Sequence, residues 1–392
     1  IEFFAAWKSI DGVRIDNNIA NTMKTLIEGL FQKDRLLNYI RNFIVFMDNG
    51  KTKVKIGAKY HQFFGVNFAV QESIRATKPN GDRKIGVIWH TQGSGKSISM
   101  LFFAGILIRH SEMKNPTVVI QVDRADLDNQ LHDTFVEGKS LVGHVKQANS
   151  ASDLRELLKN ESGQIIFTTI EKFRLKESEG VHPVLSEREN IIVIADEAHR
   201  TQYNDAGYAG HIKTALPNAS HIGFTGTPVD FAGRSTNEVF GHTIHTYDMI
   251  QAVEDNATVP IYYESRLIRL GITNDEIDSQ IDELGTGEGN DELDKHRRVW
   301  AALAKLAGTK ERVEELAKSI INHFDEKQTV TPEAKGMIVC MSRENCVALY
   351  DEMRKIQNCP PVEIIMTGDV SKDPEEWRKK QVGSDYSHIK SK

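Results

Sequence analysis

The chain has 392 residues, 40% of them hydrophobic and 27% charged, with a formal net charge of −6. That is too long for one ordinary core, so two or three domains are expected. The lack of any apolar run long enough to cross a bilayer excludes a membrane role, and the negative balance excludes a whole-molecule positive field, so contact with nucleic acid would need a local basic track.

The chain opens at Ile1 with IEFFAAWKSIDG, which has neither a basic n-region nor an apolar h-region followed by a cleavage site. It reads as an internal cut. From Asn17 to Met47 apolar residues recur at helical spacing (Ile19, Met23, Leu26, Ile27, Leu30, then Leu36, Leu37, Ile40, Phe43, Ile44), which predicts a helical lead-in over residues 1–50 with Asp34 as a helix N-cap.

After the polar stretch from Asp48 to Lys59, short β-rich runs alternate with helical patterns: IGVIWH (85–90), TVVIQVD (117–123), QIIFTTI (164–170), IIVIAD (191–196) and HIGFTGT (221–227). Continuous apolar strands separated by helices predict an α/β domain over 51–262 whose parallel sheet is covered on both faces. A second series, IYYESRLIRL (261–270), GMIVCM (336–341) and VEIIMTG (362–368), predicts a second α/β domain over 263–392 that the chain enters without finishing. Inside it, a helical and acidic insertion is expected at about 271–330; Asn274 to Asp294 holds nine Asp or Glu and no Lys or Arg, and reads as a solvated excursion. Cys340, Cys346 and Cys359 lack CxxC spacing and read as reduced cytosolic thiols, not as a zinc site or a disulfide framework.

The chemistry is concentrated in four short segments. Lys59-Tyr-His-Gln62 opens a helical pattern, and the Gln62 amide has both the donor and the acceptor needed to read an adenine edge. The strand ending at Trp89 runs into His90-Thr91-Gln92-Gly93-Ser94-Gly95-Lys96-Ser97, and a helical pattern follows. Strand, glycine-rich loop and helix form the context of a phosphate-binding loop. Gly93 and Gly95 let the backbone turn its N–H groups toward phosphate oxygens, Lys96 would reach the β and γ phosphates, and the Ser97 hydroxyl would hold Mg²⁺. The consensus asks for glycine where this chain has His90.

The strand IIVIAD ends in Asp196-Glu197-Ala198-His199. Open α/β sheets place ligands at such carboxyl ends, where Asp196 can orient a Mg²⁺ shell and Glu197 can polarise an attacking water. Next comes HIGFTGTP, in which Thr225 and Thr227 bracket Gly226 and Pro228 stops the strand.

Taken together, GLFQKDRLLNYIRNFIVF (29–46), KYHQ (59–62), HTQGSGKS (90–97), VDRADLDNQ (122–130), ADEAHRTQY (195–203) and FTGTP (224–228) resemble the restriction subunit of type I restriction-modification enzymes, a helicase superfamily 2 motor. The resemblance runs from about residue 1 to 265, and less distinctly to 368. It implies two RecA-like domains, ATP and Mg²⁺ as cofactors, and DNA-dependent ATP hydrolysis that translocates double-stranded DNA before a parent site-specific deoxyribonuclease cuts it. It implies methyltransferase and specificity subunits as partners, and the cytoplasm as location. Residue by residue, it implies adenine contact for Gln62, a loop lining for Thr91 and Gln92, coupling roles for His199, Thr225 and Thr227, and contacts of Arg124, Thr168 and Thr169 with the DNA backbone. The family's nuclease domain and late motor motifs do not occur within these residues, so weak hydrolysis by this chain alone is expected. Two alternatives stay open: another superfamily 2 DNA or RNA helicase, and an ATP-responsive docking module. Glu197 argues against the latter, since a pure switch has no use for a water-polarising carboxylate.

Overall fold

The computed structural model describes residues 5–122, 125–160, 163–173, 182–198, 208–228, 230–231, 234–265 and 308–366, together with 374 and 377. Its packing divides the chain into two compact units, Ile1–Ile261 and Tyr262–Lys392.

The lead-in holds helices α1 (Thr22–Gly29) and α2 (Lys33–Asn42), then an antiparallel hairpin of β1 (Ile44–Asp48) and β2 (Lys53–Gly57). The helix predicted as far as Met47 therefore ends at Asn42. Ile44 and Val45 are β-branched, and burial along β1 alternates, with Val45 and Met47 inside and Phe46 outside. Gly50, at φ +80° in the turn, lets the chain reverse. Asp34 sits in the first turn of α2 and is not its cap. Gln32 caps the helix, its side chain accepting from the Arg35 N–H at 2.9 Å. The lead-in joins the main core. Trp7 packs against Tyr39, Phe63 and Phe64, and the Phe43 ring lies 4.7 Å from that of Phe63 and 5.5 Å from that of Phe102.

Beyond the hairpin, helices and strands alternate: α3 (Tyr60–Ala76), β3 (Lys84–His90), α4 (Lys96–Leu107), β4 (Thr117–Val122), α5 (Ala125–Glu137), α6 (Lys139–Val142), β5 (Val145–Gln147), α7 (Ala151–Leu158), β6 (Ile165–Thr169) and β7 (Ile191–Asp196). Then follow α8 (Tyr208–Ala215), β8 (Ser220–Thr225), a short antiparallel pair β9 (Asp230–Phe231) and β10 (Arg234–Ser235), α9 (Thr236–Phe240), β11 (Thr243–Tyr247) and α10 (Met249–Glu254).

Seven of the strands form one sheet in the order β11-β3-β8-β7-β4-β6-β5, and every pairing in it is parallel. All six residues of β4 and all five of β6 are buried, as strands covered on both faces must be. Successive side chains go to opposite faces. Val118, Ile120 and Val122 enter the cluster of Phe63, Phe102 and Phe103, whereas Val119 joins Leu154, Leu158, Ile212 and Ala215. The first unit is thus the α/β parallel sheet with helices on both faces that the alternating runs predict.

In the second unit, α11 (Lys310–Val330) packs on α12 (Arg343–Arg354). Val313, Ala317 and Ile321, four residues apart, make one buried stripe that meets Leu349 and Met353. GMIVCM, read as a strand, carries no strand among the described residues, and Met337 and Val339 are exposed. A strand exists only through a neighbour that takes its ladder hydrogen bonds. VEIIMTG keeps one bridge residue, Ile364, and of IYYESRLIRL the described part, 261–265, carries no strand. The acidic stretch 274–294 lies outside the described residues.

Candidate nucleotide site at the carboxyl edge of the sheet

β3, β8 and β7 are adjacent and parallel, so His90, Thr225 and Asp196 end on one edge of the sheet. The register pairs Trp89 with Thr225, and Asp196 with Phe224. In an open α/β sheet this edge is where ligands are held. Sheet order, not sequence distance, thus brings the glycine-rich loop, the FTGTP turn and the acidic turn together.

The loop begins at Thr91 and ends at Gly95, which caps α4 in a left-handed conformation (φ +85°), and Gly93 has φ +84°. A Cβ on Gly95 would also come within 2.7 Å of Gln62 Nε2. Thr91 and Ser94 are buried, Gln92, Gly93 and Gly95 are exposed, and Lys96 and Ser97 lie between. The free first-turn amides of α4 therefore open onto a surface an anion can reach.

Lys96 Nζ lies 3.7 Å from Glu197 Oε1, with the two side chains 12% and 25% exposed. The lysine of the loop and the second carboxylate of the acidic turn thus share one face. Glu197 has φ +47°, a left-handed conformation that costs a residue with a Cβ of order 1–3 kcal/mol. The turn is held by its own neighbours, with the Glu197 N–H donating to Asp196 Oδ1 at 3.0 Å and the Ala198 N–H to the Phe224 carbonyl at 3.2 Å. Ser97 and Asp196 supply a hydroxyl and a carboxylate, the hard oxygen donors Mg²⁺ takes in small number when phosphates complete its shell. Among the described residues no three His, Cys, Asp or Glu side chains are grouped where they could hold a metal ion.

Gln62 is buried and engaged inside the protein. Its Oε1 accepts from the Lys59 N–H at 2.8 Å, and its Nε2 donates to the Gly95 carbonyl at 3.0 Å. One amide hydrogen and one lone pair are left over for a base. Thr225 is fully buried and its Oγ1 accepts from the N–H of the exposed Thr227 at 3.1 Å. Gly226 abuts the loop. Its carbonyl accepts from Trp89 Nε1 at 3.2 Å, and a Cβ on it would lie 3.3 Å from the Gln92 nitrogen and 3.5 Å from Lys96 Nζ. Thr168 and Thr169 are buried at the end of β6. Arg124 and His199 lie outside the described residues.

Sequence reasoning missed a row of buried aromatic residues under the loop. His90, standing where the consensus has glycine, is fully buried with Nε2 2.9 Å from His245 Nδ1. His61 stacks on Tyr247 at 3.8 Å, and the Tyr247 carbonyl accepts from the Thr91 N–H at 2.9 Å. Burial pushes His61 and His245 down to about 4, and His90 well below its usual value, so all three rings are neutral at pH 7. The available signals were His61 standing beside Gln62 and His90 standing where the consensus asks for glycine.

No helix among the described residues is long and apolar enough to cross a membrane. The SWI2/SNF2 ATPase family profile matches residues 61–296. Over 398 residues the chain is 44% identical to the HindI endonuclease subunit of a type I restriction enzyme from Haemophilus influenzae, an alignment covering 95% of this chain and 37% of that protein. Over 410 residues it is 37% identical to a Methanocaldococcus jannaschii protein described as the MjaIXP type I restriction enzyme endonuclease subunit, covering 99% of this chain and 38% of that one. The chain therefore spans less than two fifths of the length of these curated relatives. Among solved structures it is similar, at TM-score 0.44 and 17% identity, to a fragment described as the HsdR subunit of a type I restriction enzyme from Vibrio vulnificus, over 86% of this chain and 50% of that chain.

Proposed function

Because the chain belongs to the SWI2/SNF2 ATPase family and its homologues along nearly its whole length are endonuclease subunits of type I restriction enzymes, we propose that it is the motor segment of such a subunit, hydrolysing ATP to translocate double-stranded DNA. The observation that carries this reading is the 3.7 Å approach of Lys96 Nζ to Glu197 Oε1 across the gap between loop and acidic turn. Two charges of opposite sign facing each other at the mouth of a phosphate loop suit a bound triphosphate on one side and an attacking water on the other.

In this reading the amides of Gly93 to Ser97 and the Lys96 ammonium cradle the phosphates, with Thr91 and Gln92 completing the loop. Ser97 and Asp196 would hold Mg²⁺, which when bound offsets charge on the β and γ phosphate oxygens. Glu197 accepts the proton of the water that attacks the γ phosphorus as the bond to the β-phosphate oxygen breaks, leaving ADP and inorganic phosphate. Gln62 turns its spare donor and acceptor to the adenine edge. Thr225, Gly226 and Thr227 transmit the state of the loop, since Gly226 abuts it, and His199 joins them in that role. Arg124, following β4, contacts the DNA backbone, which positions a duplex without reading its sequence. Methyltransferase and specificity subunits are the partners, the parent enzyme makes the cut, and the cytoplasm is the place of action.

A duplex-length series tests this reading. ATP consumed per binding event should rise with the length of linear double-stranded DNA and without release of a displaced strand. Turnover independent of duplex length, or strand displacement, would instead point to an unwinding enzyme of the same superfamily.

A further inference from the structure

α3 begins with Tyr60-His61-Gln62, and two consecutive side chains reach two consecutive carbonyls of the phosphate loop: His61 Nε2 lies 3.0 Å from the Ser94 oxygen, and Gln62 Nε2 donates to the Gly95 oxygen at 3.0 Å. In a planar trans peptide the C=O and the N–H point in opposite directions. A carbonyl drawn down toward α3 therefore sends the next residue's amide away from α3, toward the exposed side of the loop. For Ser94 that amide belongs to Gly95, and for Gly95 it belongs to Lys96. The Gly95 carbonyl is also fixed by the first turn of α4, accepting from the Ile98 and Ser99 N–H groups at 3.1 Å. The Ser94 carbonyl lies ahead of that turn and is held by His61.

We propose that His61 is a positioning residue of the ATP site, whose Nε2–H holds the Ser94 carbonyl so that the Gly95 amide faces the nucleotide phosphates. This rests on the nucleotide-site reading above. A carbonyl only accepts, so Nε2 must carry the ring hydrogen. Nδ1 is then bare, and it is buried without a hydrogen-bond partner among the described residues. The ring has little freedom to turn away. It is 1% exposed and stacked at 13° on Tyr247, whose hydroxyl donates to Asp255 Oδ2 at 2.9 Å. Its neutrality at pH 7 keeps Nδ1 free of a second proton.

Titrating trinitrophenyl-ATP into the unaltered chain, His61→Phe and His61→Gln tests the proposal. Phenylalanine keeps the stack on Tyr247 and loses the donor, whereas glutamine restores a donor. His61→Phe should bind the nucleotide ~3- to 10-fold more weakly, the loss of one hydrogen bond, with its melting temperature within a few degrees of the parent. His61→Gln should recover most of the affinity. Unchanged affinity in a folded His61→Phe chain overturns the proposal while leaving the ATP site intact; failure of the unaltered chain to bind nucleotide overturns both. Should His61→Phe not fold, ¹⁵N-histidine spectra of the unaltered chain decide. An Nε2–H tautomer whose resonance moves on nucleotide addition is expected, and an Nδ1–H tautomer or a resonance indifferent to nucleotide overturns the proposal.

Discussion

Glu197 combines a left-handed backbone with a carboxylate directed at Lys96, and both features depend on a tight turn that immediately follows a buried strand. Glutamine in its place would keep the size and the turn while removing the proton acceptor. Glu197→Gln is therefore expected to lower ATP turnover at least ~100-fold while leaving ATP affinity within a few fold, as read by phosphate release and nucleotide titration. The buried histidines give a second expectation. His61 and His245 titrate near 4 in the folded protein against about 6.5 in an unfolded chain, so between those values the unfolded state binds more protons. Stability should then be fully present above pH 6.5 and decline as pH falls toward 4. Thermal melting at pH 7 and pH 5 checks this, with a smaller drop expected in His245→Phe; a drop of the same size would remove His245 from the account.

At the scale of elements, β3 and β8 run side by side with Trp89 opposite Thr225, and the Trp89 indole spans from one strand end to the Gly226 carbonyl of the next. That bond ties the FTGTP turn to the strand that carries the phosphate loop. Trp89→Phe removes the donor and keeps most of the ring. Duplex DNA should then stimulate ATP turnover about 5-fold less than in the parent, roughly the worth of one hydrogen bond, while turnover without DNA changes little. Equal loss with and without DNA would assign Trp89 to packing alone. The hairpin of β1 and β2 shows where local pattern misleads. Ile40, Phe43 and Ile44 fit a helical stripe by spacing, yet the residues the core accepts are Phe43, Val45 and Met47, and burial at period two decides for a strand. Gln32 capping α2 in place of Asp34 is a similar case, since the cap goes to whichever side chain meets the free amides.

For the molecule as a whole, the lead-in belongs to the first unit through one aromatic cluster, in which Phe43 bridges α2 to Phe63 on α3 and Phe102 on α4. Phe43→Ala is expected to cost about 3–5 kcal/mol of stability, since a fully buried ring leaves a cavity at the junction of three helices. Chemical denaturation would measure it, and a cost below about 1 kcal/mol would mean that the lead-in is only loosely attached.

The glycine-rich loop, the acidic turn and the parallel α/β sheet were legible in the amino-acid order because their signals are contiguous: glycines where left-handed backbone is needed, and uninterrupted apolar runs where both faces of a strand are covered. Tertiary structure alone decided that β8 lies between β3 and β7, which sets Lys96 against Glu197, that Thr168 and Thr169 are buried, and that His61 grips Ser94. These are pairings between residues far apart along the chain, made by packing and hydrogen bonds that leave no periodic trace in it, and so they exist only once the sheet has assembled.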